Sequence, residues 1–224
     1  MPTKISVSQG DFTLEAAFEQ PDFGLFHETR GLIPRVFRAL RPHGVKLSDM
    51  KIERGSGTLS EFHLVCQLFN YAMSVRTRID RVEVTCIHLS DENVKRFAAA
   101  IVDALVAVQG DREPRFQTYS LMLSLHGTLE GADARSFLAG FSAKTPQVGP
   151  STGNAVGYYF GPTDERLAST VILDISAAVS GGIYMQLRTT WDATKVRPQN
   201  LPALADTFVR AVFESVGLDA PKTT

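Results

Sequence analysis

Five histidines, two cysteines and a few well-spaced serines are where this 224-residue chain would hold metal or nucleophilic chemistry. His27, His43, His63, His88 and His126 form no HxH or HExxH pair, and Cys66 and Cys86 lack zinc-ligand spacing, so no metal centre is expected. Ser120, Ser169 and Ser176 sit in no nucleophile elbow, which leaves a hydrolase reading without support. The segment "GLFHETRG" reads as a helix start with solvated His27 and Glu28 rather than as an active-site loop. In "VGPSTGNAVGYYFGPTDE", Gly149, Gly153, Gly157 and Gly161 recur every fourth residue. The stretch lacks the Gly-Lys-Ser/Thr ending of a phosphate loop, and Pro150 and Pro162 exclude a small-residue membrane helix. It is expected to lead into an edge strand, with a lid over a pocket as the sharper alternative. No catalytic residue and no cofactor is assigned.

Charge narrows the partners. The formal net charge is −1, and residues 1–110 and 111–224 carry 13 and 10 basic against 13 and 11 acidic side chains. Neither half is the basic module that polyanion binding by bulk charge demands. Arg30, Arg35, Arg38 and Arg41 mark a solvated basic helix face or an acidic partner's footprint. Without interleaved aromatics for base stacking, nucleic acid is the least favoured partner. Cys66 and Cys86 fall in apolar strand runs and read as buried, reduced thiols. The N-terminus lacks the apolar core of a signal peptide, and no run approaches the ~18 apolar residues of a membrane span. The expectation is a cytoplasmic protein with no membrane contact.

These residues must be positioned by strands and helices in a repeating order. "DFTLEAAFE" alternates Phe12, Leu14, Ala16 and Phe18 inward, a half-buried strand. "PDFGLFHETRGLIPRVFRALRPHG" follows as a helix with Leu25, Leu32, Val36, Phe37 and Leu40 as its stripe, a break near Pro34, and a stop at Pro42 and Gly44. Two strands flank "GSGT", with Met50 and Ile52 sharing the parity of Leu64, Cys66 and Leu68. Leu68 is even and Met73 odd, so the next loop has even length, and a two-residue turn at Asn70-Tyr71 is expected. That register sets Leu68 opposite Met73, Cys66 opposite Val75, Leu64 opposite Thr77 and Phe62 opposite Ile79. Within "YAMSVRTRIDRVEVTCIHL" the apolar phase changes from odd to even, which predicts a bulge at Asp80-Arg81 in one long strand, or alternatively a tight turn there. The absence of Gly, Pro and Asn favours the bulge and would carry Cys86 far along the strand from Cys66. A helix follows, with Val94, Phe97, Ala98, Ile101, Leu105 and Val108 on one face and Gly110 at its end.

The order then repeats. A strand with Leu121, Leu123 and Leu125 inward precedes a short helix through Ala134, Phe137, Leu138 and Phe141, three strands, and a helix carrying Leu201, Leu204, Ala205, Phe208, Val212 and Phe213. Two diverged β-α-β-β-β-α repeats, 1–110 and 111–224, are expected to form one α+β unit, with helices on one face of antiparallel sheets. The order is similar to helix-grip and TATA-binding-protein-like units. In the last hairpin the matching odd parity of Val171–Ala177 and Ile183–Trp191 requires an odd loop, for which Ser180-Gly181-Gly182 supplies three residues. That register places Asp174 opposite Arg188, with Tyr184 and Gln186 nearby on the polar face, which Arg76 and Arg78 extend into the first half.

Three segments carry a family resemblance: "LEAAFEQPDFGLFHETRGLIPRVFRAL", "VRTRIDRVEVTCIHL" and "VILDISAAV". With them the chain resembles, over nearly its whole length, a sporadically distributed family of uncharacterised bacterial proteins. The resemblance implies architecture and a bacterial origin, and brings no catalytic residue. The primary functional expectation is a non-enzymatic binding or assembly module whose open sheet face meets a protein partner or a second copy. The candidates on that face are Arg188, Tyr184, Gln186, Asp174, Arg76 and Arg78. The alternative is a small-molecule-binding protein or enzyme with a pocket between sheet and helices. A large apolar cavity would favour the alternative, and a filled core the first.

Overall fold

The two longest alternating runs of the chain become the paired strands at the centre of a sheet. The computed structural model describes residues 3–26, 29–53, 62–89, 91–110, 116–141 and 155–219. Among these are ten strands and four α-helices. In chain order they are β1 (Thr3–Phe18), α1 (Thr29–Leu40), β2 (Met50–Glu53), β3 (His63–Leu68), β4 (Met73–Thr77), β5 (Arg81–Cys86) and α2 (Asp91–Gln109), then β6 (Phe116–Leu129), α3 (Ala134–Ala139), β7 (Val156–Phe160), β8 (Arg166–Ile175), β9 (Ile183–Asp192), α4 (Leu201–Ser215) and β10 (Leu218–Asp219). The lateral order is β2-β3-β4-β5-β1-β6-β9-β8-β7, every neighbouring pair antiparallel. β10 joins the start of β1 in parallel, Thr3 opposite Leu218. The α+β class and the antiparallel pairing agree with the sequence, but the halves do not have separate sheets. β1 and β6 pair from Ile5–Leu129 to Phe18–Phe116, and one sheet runs through both.

The phase change in residues 71–89 is a tight turn, not a bulge. β4 ends at Thr77 and β5 begins at Arg81, with Thr77 opposite Val82 and Met73 opposite Cys86. The Arg78 amide donates to the Arg81 carbonyl at 2.8 Å. Contacts from outside the hairpin hold a corner that has no Gly, Pro or Asn. The Phe18 amide donates to the Asp80 carbonyl at 2.9 Å, and Arg81 ion-pairs with Glu15 at 3.1 Å; within the corner Arg81 also pairs with Asp80 at 3.0 Å. The first half therefore has one strand more than the repeat expected. Folding back also brings Cys86 beside Cys66 with only β4 between them, rather than far along one strand. Two strand spacings, about 9.5 Å, exceed the reach of a disulfide. Both thiols are buried and free.

The neighbouring hairpin has the expected register, Leu68–Met73, Cys66–Val75 and Leu64–Thr77, and its turn closes on the expected pair: the Ala72 amide donates to the Phe69 carbonyl at 3.2 Å across Asn70-Tyr71. Phe69, Asn70 and Tyr71 are all left-handed, at φ 52, 55 and 68°. Pairing stops at Leu64–Thr77, so Phe62 does not reach Ile79. Its ring lies edge-on to Phe26 at 4.6 Å. In the last hairpin the loop is odd, as parity demands, but spans 176–182 instead of three residues. Ile175 pairs with Ile183 and Val171 with Leu187, so Asp174 faces Tyr184, and Arg188 faces Thr170. Ser176 builds the longer loop: its Oγ accepts the amides of Ala178 at 3.1 Å and Val179 at 2.8 Å.

α1 begins at Thr29, later than the periodicity suggests, and runs through Pro34 without a break. One forfeited backbone hydrogen bond is offset by burial of Leu32, Val36 and Leu40. All four helices lie on the face bearing Leu14, Val84, Leu125 and Leu187, over two distinct cores. The first packs α1 and α2, with Phe97, Ile101 and Leu105, over β3, β4, β5 and the Leu14–Phe18 end of β1. The second packs α3 and α4, with Leu138, Phe208, Val212 and Phe213, over β8, β9 and the Leu125–Leu129 end of β6.

Candidate functional site

Between those two cores the helix layer is incomplete. α2 and α4 stand on either side of the β1–β6 seam and leave a cleft of about 790 Å³. Its floor is Val7, Phe12 and Leu14 of β1 with Leu121, Leu123 and Leu125 of β6. One wall is Val94, Ala98 and Ile101 of α2, and the other is Leu201, Pro202, Ala205 and Val209 of α4. The strands position the floor by pleat: Leu14 faces Leu121 and Phe12 faces Leu123, so apolar side chains rise on adjacent rungs. The helices present residues three and four apart.

The cleft has unlike ends. At one, Trp191 and Leu201 close it beside Leu14 and Leu121, and residues Pro198–Asn200, leading into α4, contact α2. Ile5, Ser6 and Ser8 of β1 line the other end, Leu89 lies beside Gly10 between the two, and Asp206 and Arg210 line the α4 side five and nine residues beyond Leu201. Arg210 Nε donates to Asp206 Oδ2 at 2.8 Å, one helical turn apart. The walls are largely apolar with a few polar residues among them, and the volume lies within the usual range for small-molecule sites. Val94, Ala98 and Ile101 carry the same periodic signal as Phe97 and Leu105, so the sequence marks them as core.

The polar candidates lie on the opposite face of the sheet. Gln186 Nε2 donates to the Tyr184 hydroxyl at 3.0 Å, and that hydroxyl lies 3.4 Å from Ser124 Oγ. Asp174 is Tyr184's cross-strand partner and accepts the Ile175 amide at 2.7 Å, so these three residues are brought together. Arg188 stands one rung further along β9, exposed between Met122 and Thr170, and makes no ion pair among the described residues. Arg76 and Arg78 are not part of this group. Arg76 lies on β4, four strand spacings or about 19 Å across the sheet, and Arg78 sits in the β4–β5 turn, 3.8 Å from Glu83.

The remaining histidines and serines with described partners make local hydrogen bonds. His126 Nδ1 lies 2.8 Å from Ser176 Oγ, which already holds the 176–182 loop. Ser120 bonds Thr190 at 3.0 Å and Ser169 bonds Thr189 at 2.9 Å. His43 meets Asp103 at 2.7 Å and His63 meets Glu53 at 2.9 Å. No group of three metal-ligating side chains occurs among the described residues, and none of their helices is long and apolar enough to cross a membrane. His27, Glu28, Gly149 and Gly153 lie outside the described residues, while Gly157 and the strand it belongs to form one edge of the sheet. No known family model matches the chain, and no curated protein matches it in sequence.

Proposed function

We propose that this chain is a binding protein for an apolar small molecule, held in the cleft between α2 and α4. The observation that carries the reading is the cleft itself: about 790 Å³ of apolar-walled space at the centre of the fold, where a helix layer would otherwise meet. Leaving so much apolar surface unfilled forfeits the burial that a closed core would gain. A ligand that recovers it accounts for the gap. The test is titration with the neutral fluorescent probe 1-aminoanthracene against the intact protein and the Ala98→Phe variant, whose new ring fills the cleft from α2. Saturable binding that disappears in the variant, with an unchanged melting temperature, is the expected result. Equal binding by both proteins would remove the cleft from consideration.

A second reading concerns the open face, where the exposed Arg188 beside exposed Met122 and the Tyr184–Gln186 pair form an anchor set of the kind enriched at interfaces. Here a protein partner or second copy docks on β9 and β6. Its test is loss of partner recovery by the Arg188→Ala, Tyr184→Ala double variant at unchanged melting temperature.

We also infer that the two halves are diverged copies of one unit in a helix-grip or TATA-binding-protein-like order. The support is that β1 and β6 pair at the centre, with β5 and β9 flanking them, and that α2 and α4 each set a buried phenylalanine, Phe97 or Phe208, into its own core.

A further inference from the structure

We infer that β7 pairs antiparallel with β7 of a second copy of this chain, across a two-fold axis at Tyr158. The contact goes beyond both functional readings, because it uses neither the cleft nor the β9–β6 face. The two edges of the sheet are unlike. At one end β2 is four residues long and carries Lys51 and Glu53, charges of the kind that keep an edge from pairing. At the other, β7 reads Val-Gly-Tyr-Tyr-Phe, and residues 145–163 hold no charged side chain. Among the described residues β7 pairs with β8 alone, so its outer backbone donors and acceptors have no strand beside them. Tyr159 is 81% exposed there and Phe160 42%. An uncharged, aromatic edge strand is a template for a further strand.

The sequence of β7 says which strand fits. Set against its own reverse, it is complementary at each of its five rungs. On the helix-covered face Val156 meets the partner's Phe160, and Tyr158 meets the partner's Tyr158, pairs of the kind that stabilise antiparallel strands. On the open face Gly157 meets the partner's Tyr159, and an aromatic ring opposite an edge glycine supplies the cover that glycine lacks. A Cβ on Gly157 would meet only the Tyr159 ring of its own chain, at 3.8 Å, so a second ring has room. Slipping the register by two residues loses two rungs and sets Gly157 or Tyr159 against itself. The two-fold arrangement also closes at two copies, with both helix layers on one side of a continuous sheet. Pairing β7 to β2 would instead run on as a filament and would have to accommodate Lys51 and Glu53.

The experiment follows the mass of the full-length chain by analytical ultracentrifugation over a dilution series. The expected result is a reversible dimer that becomes monomeric in the Tyr159→Lys, Phe160→Lys double variant. Its melting temperature should match the unaltered chain at a dilution where both are monomeric, and Tyr159→Lys alone provides the same test without touching Phe160. Ile52→Lys, on the β2 edge, should leave the dimer intact. Register is read by mild oxidation of cysteine variants. The two-fold axis brings the Tyr158 Cα atoms to about 4.5–5.5 Å, within disulfide reach, so Tyr158→Cys should give a covalent dimer. Val156→Cys, displaced from its own copy by roughly 14 Å along the strand, should not, and the buried Cys66 and Cys86 take no part. A monomer at every concentration, or a dimer that survives the lysine substitutions, would overturn the inference. Loss of the dimer only in the Arg188→Ala, Tyr184→Ala variant would overturn it in favour of the open face. Masses that grow without limit would overturn the two-fold closure, and a crosslink at Val156→Cys instead of Tyr158→Cys would overturn the register.

Discussion

At the scale of single residues, burial changes acid–base behaviour. Desolvation pushes the thiols of Cys66 and Cys86 from 9.0 up to about 12 and raises the Tyr119 phenol as well. The unfolded chain keeps the ordinary values, so between about pH 9 and 12 it releases protons that the folded chain retains, and folding stability falls as pH rises through this window. Urea midpoints should be flat below pH 9 and decline above it, and the Cys66→Ala, Cys86→Ala double variant should show a shallower decline. An identical slope would mean the thiols do not contribute. Labelling of the native protein by a thiol reagent should likewise be slow, because the reactive thiolate is suppressed. The two cysteines were legible in the sequence as buried thiols because apolar alternation places them on an inner face. The cleft was not legible, since Ala98 and Ile101 share that signal with Phe97. Periodicity says which side chains leave water, not what covers them.

At the scale of elements, parity reads a hairpin's register only up to multiples of two residues. It placed Leu68 opposite Met73 because the connection there is short, and misplaced Arg188 because three- and seven-residue loops satisfy the same parity. The longer loop exists because a buried hydroxyl builds it, so Ser176→Ala should cost about 1–3 kcal/mol in urea unfolding, leaving two amides and His126 without their partner. A cost near zero would assign the loop to Gly182, whose added Cβ would meet the Gly127 carbonyl at 2.6 Å. The β4–β5 corner escaped detection for a related reason: its hydrogen bonds go to Phe18 and Asp22, which no local pattern announces. In the 69–72 loop the left-handed backbone is anchored by Phe69, whose ring lies 5.2 Å from Phe97 and 4.8 Å from the Arg96 guanidinium. Tyr71 at the tip is 74% exposed with φ 68°. Tyr71→Gly should therefore be neutral or stabilising by up to about 1 kcal/mol, and Tyr71→Val destabilising by about 1–2 kcal/mol, because a β-branched side chain tolerates that region least.

At the scale of the whole molecule, the α+β class followed from the order of strand and helix patterns, whereas the joining of both halves into one sheet depends on the β1–β6 pairing across more than a hundred residues. That seam joins two cores that α4 and β9 also span, with Leu201 and Trp191 in the first and Phe208 and Leu187 in the second, and the cleft lies between them. Phe97 is 1% exposed in the first core and Phe208 is 8% exposed in the second, with the Arg166 guanidinium 5.7 Å over its ring. Truncating either to Ala should cost about 3–5 kcal/mol, the Phe208 value at the lower end because its ring is less completely enclosed. Since the two residues share no core, the costs should add within about 0.5 kcal/mol in the double variant, measured by urea unfolding. Circular dichroism and Trp191 emission should still report one coincident transition, because neither half can shed its core without exposing the shared seam. An interaction energy well above that margin would show the cores to be coupled across the cleft, and two separated transitions would show the seam to be too weak to join them.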